Sequence, residues 1–568
     1  GLFAPDQCPH LDAAQITNER LLAAIRALSF FRSDDVLVRV NYRDMGTEEL
    51  GSVYESLLDL HPRIDVEARP WVFGFVSDVE AGTTRGSARK LTGSYYTPPS
   101  LVNELIKSAL EPVMEETIKR HPDNPRAALL NLKIIDPACG SGHFLLAAAR
   151  RMAAELARLE TGSDTPDELV RQRALRQVVQ HCIYGVDRNP LAVELCRAAL
   201  WMETLEPGKP LTFLEPHIQC GDSLVGILDP KVLEQGIPDE AYNPLTGDDK
   251  AVCRELKRRN RESRRGVQLK LFDLTAIQAA APAVTSLEQM PEETLADVEA
   301  KRKAWAEARA SAEWQKAEFM ANLYVAAFFA PKTRENKDRV PLTEDLHRVR
   351  ANLPPRPGLA EAVAELAARY RFFHWHLAFP EVMQRGGFDV VLGNPPWERV
   401  KLQEQEFFAS RSPSIARAPN KAERERLIAA LNRPDADPAE RALYQEFEFA
   451  KRGAEATSLF LHSSGRYPLT GVGDVNTYAV FAETFLNLMA PGGRAGLIVP
   501  TGIATDDSTK RFFAAISSQG RLVSLYDFEN RERIFPAVDS RYKFSLLTLG
   551  SNVARAEYVF FATRVEHL

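Results

Sequence analysis

The stretch LKIIDPACGSGHFLLAAARRMAAELARLE, residues 132–160, decides the fold. It opens with a short apolar run, passes through Asp136 and the turn Cys139–Gly142, and continues as an Ala- and Leu-rich segment with no further Gly or Pro. A strand that enters a Gly-rich turn and leaves as a helix is the unit of a parallel, doubly wound sheet. Gly140 and Gly142 allow the backbone to approach a ligand closely, and the helix start presents N–H groups that lack intrahelical partners. Taken alone, such a turn is weak evidence, since an ordinary strand-to-helix connection is the alternative.

The pattern repeats on both sides of a long interruption. HCIYGVD (181–187) reads as a second strand, LAVELCRAALWMETL (191–205) as a second helix and PHIQCGDSL (216–224) as a third strand. It resumes with FDVVLGNPP (388–396), AGLIVP (495–500), VSLYDF (523–528) and FSLLTL (544–549), which makes seven candidate strands. The expected fold is therefore α/β, a doubly wound, Rossmann-like sheet of seven strands.

Four parts are expected along the chain: a helical N-terminal extension (1–90), a first half of the sheet domain (91–230), a helical insertion (231–370) and a second half (371–568). In the extension, NERLLAAIRALSFF and TEELGSVYESLLDL have helical spacing, and VLVRVNY alternates like a strand. The stretch 286–329 is Ala/Glu/Lys-rich and almost free of Gly, as expected of helices packed on the sheet, and a second helical excursion is expected over 401–465.

Composition narrows the function classes. The chain has 568 residues, 45% hydrophobic and 26% charged, and no apolar run reaches the ~18 residues of a membrane-spanning helix. The start lacks the basic and apolar regions of a signal peptide. Six cysteines stand singly without a C-x-x-C pair, which argues against a zinc site or disulfide framework and for a reducing cytoplasm. A net charge of −6 means that any nucleic-acid binding must use a local basic surface or a part of a longer protein. One candidate is CRELKRRNRESRRGVQLK (253–270), with Arg254, Lys257, Arg258, Arg259, Arg261, Arg264, Arg265 and Lys270, although charge runs are also commonly solvated faces.

Acidic residues close three successive strands. Asp136 ends the first, Asp187 in GVDRNP the second, and Asp222 in CGDSL the third. On the ligand side of such a sheet, a carboxylate at Asp187 can accept hydrogen bonds from ribose hydroxyls, and one at Asp222 can accept from a purine amine. The interval from the Gly-rich turn to Asp187 exceeds the ~20 residues of dinucleotide-binding sheets, because TGSDTPDE adds a loop. Each Asp alone could also cap a helix.

In that order, DPACGSG, GVDRNP, CGDSL and GNPPW resemble the motifs of S-adenosylmethionine-dependent amino-methyltransferases. TGSYYTPPSLV (92–102), upstream of the Gly-rich turn, is similar to the extra cofactor motif of the γ arrangement of adenine-N6 DNA methyltransferases. FHWHLAFPEV, GDVNTYAVFAETFLNLMAPGGRAGLIVP and FENRERIFPAVDSRYKFSLLTL resemble segments of the large methylases of type IIG restriction–modification and phage-defence systems.

The resemblance implies that Thr97, Asp136, Ala138 and the turn Cys139, Gly140 and Gly142 contact the methionine end of S-adenosylmethionine, that Asp187 holds the ribose and that Asp222 holds the adenine amine. It further implies that Asn394 and the Pro395 carbonyl, held by Pro396, accept hydrogen bonds from a target amine while Trp397 stacks on a flipped base. DNA is the implied partner, with restriction or defence subunits alongside. The loop 400–426 after NPPW is expected beside the flipped base. No metal and no membrane are implied.

The same motif occurs in enzymes acting on cytosine N4, on guanine N2 of RNA and on protein glutamine, and a non-catalytic scaffold with this fold is a further alternative. The chain stops at about its last strand, in AEYVFFATRVEHL (556–568), so a target-recognition domain is expected in a longer protein or within the insertions.

Overall fold

Side chains on a strand alternate between its two faces, and in the central strands of the sheet both faces are buried, so these strands feed two cores. Ile135, Val391, Leu497 and Leu547 enter one core, while Ile134, Val390, Ile498 and Leu546 enter the other. This double burial explains why the strands read as continuous apolar runs. The computed structural model of the protein describes residues 14–33, 36–42, 51, 60–65, 69, 72–77, 97–265, 286–409, 411–535 and 538–568.

In the N-terminal part, helix α1 (Asn18–Ser29) leads into the antiparallel pair β1 (Phe30–Ser33) and β2 (Val36–Arg39), and β3 (Leu60–Asp65) pairs with β4 (Val72–Ser77). Helix α1 falls in NERLLAAIRALSFF and β2 in VLVRVNY, as the sequence leads one to expect, whereas β1 and the pair β3–β4 stand outside the mainly helical reading of this region. The aromatic and β-branched run around residues 30–39 favours extended backbone. The helix expected over 47–60 lies outside the described residues, apart from Gly51, which is helical, and Leu60, which opens β3.

The central sheet contains β5 (Ile134–Asp136), β6 (Ile183–Asp187), β7 (Ile218–Cys220), β8 (Phe388–Gly393), β9 (Met489–Pro500), β10 (Leu522–Glu529), β11 (Lys543–Leu549) and β12 (Glu557–Ala562). Its order is β12-β10-β11-β9-β8-β5-β6-β7, with β11 antiparallel to both neighbours and the other pairs parallel. The seven candidate strands are all present. The eighth, β12, lies at the edge with Tyr558, Phe560 and Phe561 exposed, so it lacks the buried run that marks the others.

Helices α2 (His143–Thr161) and α3 (Pro190–Glu203) follow β5 and β6. Between β7 and β8 come α4 (Lys250–Arg265), α5 (Leu295–Ala310) and α6 (Ala312–Phe329). Ser311 breaks the helical stretch read over 286–329: its backbone is extended and its hydroxyl accepts from Trp314 N–H, capping α6. Phe328 and Phe329 of α6 share one core with Tyr184 and Val391 of the sheet. After β8, α7 (Pro438–Ser463) belongs to a helical excursion with its own small core of Phe407, Phe408, Ile415, Ile428, Leu431 and Phe447, and α8 (Thr477–Leu488) leads into β9. Among the described residues no helix is long and apolar enough to cross a membrane.

A buried polar cluster ties the two excursions together. Arg452 of α7 donates to Asp248 (2.6 Å) and to the carbonyls of Thr246 (2.8 Å) and Ala330 (2.9 Å). Fully buried Lys332 donates its backbone N–H to the same Asp248 (2.8 Å), and burial lowers its ammonium to about 8. Removing the shared anion leaves buried cations uncompensated. Asp248→Ala should therefore cost about 3–5 kcal/mol, read as a lower midpoint in urea unfolding; an unchanged midpoint would show that the cluster contributes nothing.

Candidate active site

Strands β5 and β8 are neighbours, in register at Ile134↔Val390. From β5 the chain winds outward to β6 and β7, then returns to the other side of β5 as β8. Connections diverge at such a switch point and leave a crevice at the strands' carboxyl ends. The Gly-rich turn and NPPW leave the sheet side by side there. Gly393 comes so close to β5 that a Cβ on it would lie 2.6 Å from Asp136 Oδ1.

Asp136 is 1% exposed and accepts from Ala138 N–H (2.9 Å). Burial pushes its carboxyl up to about 8; the Ala138 bond opposes this and the negative charge of Asp187 adds to it. Gly142 caps α2 with φ +90°, and a Cβ there would meet Cys196 Sγ at 2.7 Å, so the position requires glycine. Cys139 is buried with its thiol beside Cys196 and the glycine surface of Gly185.

Asp187 joins the turn to β6. Its Oδ2 accepts from Gly140 N–H (2.9 Å) and its Oδ1 from Asn189 N–H (2.7 Å). Burial raises its pKa against the pull of those two bonds. Asp222 follows β7: its Oδ1 accepts from Leu224 N–H (3.0 Å), its Oδ2 lies 3.5 Å from Arg188 Nε, and its side chain is 13% exposed.

The loop after Asp222 rests on FHWH. Asp222 N–H donates to Arg371 C=O (2.7 Å), Trp375 Nε1–H to Ser223 C=O (3.1 Å) and Ile227 N–H to His374 Nδ1 (3.2 Å). Burial holds His374 well below the usual imidazole range and His376 at about 4, so both are neutral supports. Ser223 Oγ–H reaches back to Pro137 C=O (2.6 Å), linking this loop to the Gly-rich turn.

In NPPW, the Asn394 side-chain NH2 donates to Thr97 Oγ1 (3.1 Å), while Asn394 Oδ1 is buried without a hydrogen-bond partner. A buried acceptor left unmade costs stability, and its persistence marks a place kept for a donor. Thr97, expected at the methionine end of a cofactor, thus also orients Asn394. The rest of the motif expected before it, residues 92–96, lies outside the described residues.

Trp397 is fixed by its indole N–H on Ile498 C=O (3.3 Å). Its ring is parallel to Tyr542 (centroids 5.8 Å, planes 7° apart) and edge-on to Phe535 (5.8 Å). Buried Asn530 shapes the loop that carries both partners: it donates to the carbonyls of Phe535 and Val538 (both 3.0 Å) and accepts from Phe535 N–H (2.9 Å). Nothing in the sequence singles out Tyr542, one of two aromatics in RYKFSLL.

The basic run of α4 is largely committed elsewhere. Arg261 and Arg264 pair with Asp239, Arg259 with Glu344 and Arg258 with Glu262, while Lys270 lies outside the described residues. Among the described residues no group of three or more His, Cys, Asp or Glu stands together to hold a metal ion.

Two family models match the chain. The N-6 DNA Methylase model covers residues 83–224, which include the Gly-rich turn, Asp187 and Asp222. The Eco57I restriction-modification methylase model covers residues 181–422, which include NPPW. A protein of Methanocaldococcus jannaschii described as a type II restriction enzyme and methyltransferase is 24% identical over 253 residues, 36% of this chain and 21% of that protein. The adenine-specific methyltransferase PglX of Streptomyces coelicolor is 32% identical over 166 residues, 27% of this chain and 13% of that protein. The matches therefore span less than a quarter of the length of either relative. Among solved structures, that of the DrdV–DNA complex covers 91% of this chain with a TM-score of 0.37 and 10% identity.

The raised carboxyl of Asp136 has a consequence for stability. An Asp that keeps its proton to about 8 when folded and loses it near 3.8 when unfolded favours the folded state most at low pH. That contribution is lost as pH rises through about 8. Asp136→Asn should flatten the fall of Tm between pH 5 and roughly pH 8 and raise Tm at neutral pH. A parallel fall in both proteins would contradict it.

Proposed function

Starting from a chain that carries an N-6 DNA methylase region and an Eco57I-type methylase region, we propose that it methylates the N6 of adenine in DNA. S-adenosylmethionine is the methyl donor, and the setting is a cytoplasmic restriction–modification or phage-defence system. The observation that carries this reading is Asn394: its NH2 is spent on Thr97 and its oxygen waits, buried, for a donor.

The residues fit such a cofactor. Asp136, Ala138, the main chain of Cys139–Gly142 and Thr97 hold the methionine end. Asp187 takes the ribose hydroxyls on carboxylate lone pairs beyond those used by Gly140 and Asn189, and Asp222 takes the adenine amine. When bound, S-adenosylmethionine supplies an electrophilic methyl group on its sulfonium.

The chain's own groups supply the rest. An aromatic amine is a poor nucleophile because its lone pair is delocalised into the ring. Asn394 Oδ1 and Pro395 C=O accept its two N–H bonds, favour a tetrahedral nitrogen and localise that lone pair. This is positioning with preorganised acceptors, without a covalent intermediate. Pro395 and Pro396 restrict the backbone so that the carbonyl is aimed beforehand. A base within a duplex cannot reach a crevice at the strand ends, so it is flipped out. Trp397, with Tyr542 beside it, offers an aromatic surface; such stacking is worth about 1–3 kcal/mol per base.

The test is transfer from methyl-labelled S-adenosylmethionine with DNA, RNA and protein offered separately, followed by identification of the methylated base. Label in DNA as N6-methyladenine is expected. Asn394→Ala should lower kcat by about 100-fold or more, with cofactor affinity by calorimetry nearly unchanged. Label in RNA or protein alone, or N4-methylcytosine in DNA, would overturn the assignment.

A further inference from the structure

We propose that α8 sets the two halves of the site relative to each other: Thr477, at its start, positions the NPPW turn, and Glu483, acting through the turn that carries Arg466, positions the Asp222 loop. The inference deepens the methyltransferase reading above and rests on it for its kinetic consequences, while its structural content stands on the contacts alone.

Thr477 is the first residue of α8. Its hydroxyl donates to Pro396 C=O (2.6 Å) and accepts from Glu398 N–H (2.9 Å), and its own N–H donates to Glu398 C=O (2.7 Å). One side chain and one amide thus hold the main chain on both sides of Trp397. Val400 N–H on Val475 C=O (3.0 Å) continues the attachment. Prolines restrict φ but do not fix where the turn lies against the sheet; these bonds do.

Glu483 lies six residues further along the same helix and is 1% exposed. Its carboxylate accepts from Leu469 N–H (3.1 Å), Thr470 N–H (2.9 Å) and Thr470 Oγ–H (2.7 Å). The turn held in this way begins with Arg466 and Tyr467. Arg466 donates to Ser223 C=O (2.7 Å) and Gly226 C=O (3.0 Å), and Tyr467 Oη–H donates to Leu224 C=O (2.8 Å). Three donors therefore hold three carbonyls of the loop that Asp222 opens. Asp222 and Glu483 both act on the Arg466 charge. A guanidinium is costly to bury against carbonyls alone, and fixing this loop is what its placement achieves.

Neither Thr477 nor Arg466 is placed against a reacting atom, so both are positioning residues, and their effects should separate. Thr477→Val should lower kcat about ten- to a hundred-fold, with KM for S-adenosylmethionine within about two-fold, and Thr477→Ser should recover most of the loss. Arg466→Met should raise that KM about ten-fold with kcat within about two-fold, and Arg466→Lys should recover part of it.

A second readout, hydrogen exchange, does not depend on turnover. Thr477→Val should speed exchange at Glu398 and its neighbours and leave 222–227 protected, and Arg466→Met should do the reverse. Exchange that rises in both loops or in neither, or kcat and KM that move together in both variants, would overturn the proposal. If the unaltered protein neither binds S-adenosylmethionine nor methylates DNA, the functional reading fails, and exchange alone then decides the positioning claim.

Discussion

The candidate site of this protein depends on how closely two strands can approach at the middle of one sheet. β5 and β8 lie side by side in register, and Gly393 leaves no room for a Cβ beside Asp136. This approach brings the Gly-rich turn and the NPPW turn to the same crevice. The two segments are more than two hundred residues apart in the chain, and only the return of β8 to the far side of β5 makes them neighbours.

Polar groups around that crevice are treated in two ways. Asp136 is buried and Asp187 half-buried, and main-chain N–H groups hydrogen-bond both, so each carboxyl is aimed before any ligand arrives. Asn394 is different: its NH2 is paired with Thr97 while its oxygen stays buried and unpaired. Burying an acceptor without a donor is unfavourable. The fold tolerates it because β8, the prolines and Thr477 hold the segment from several sides.

Legibility in the sequence followed burial. The strands β5, β6 and β8 to β11 could be read because both faces are largely buried and their runs are apolar, whereas β12 exposes most of its side chains and adds no such signal. The Ala- and Glu-rich stretch read as helical, but its break at Ser311 is a local capping choice within a uniform composition. The basic run of α4 was readable as charge and not as ion pairs, because Asp239 and Glu344 reach it only through the folding of the insertion.

What the sequence by itself determined is the set of strand-end groups: Asp136, the Gly-rich turn, Asp187, Asp222 and NPPW each follow an apolar strand within a few residues. Local spacing suffices there, because a strand's end and the turn after it are encoded together. Only the tertiary structure decided what holds those groups in place. Thr477 meets Glu398 across 79 residues, Arg466 meets Ser223 across 243, and Tyr542 lies parallel to Trp397 from the loop before β11. Such contacts leave no periodic trace in a single chain, since each depends on where two distant backbones are brought by the packing of the sheet between them.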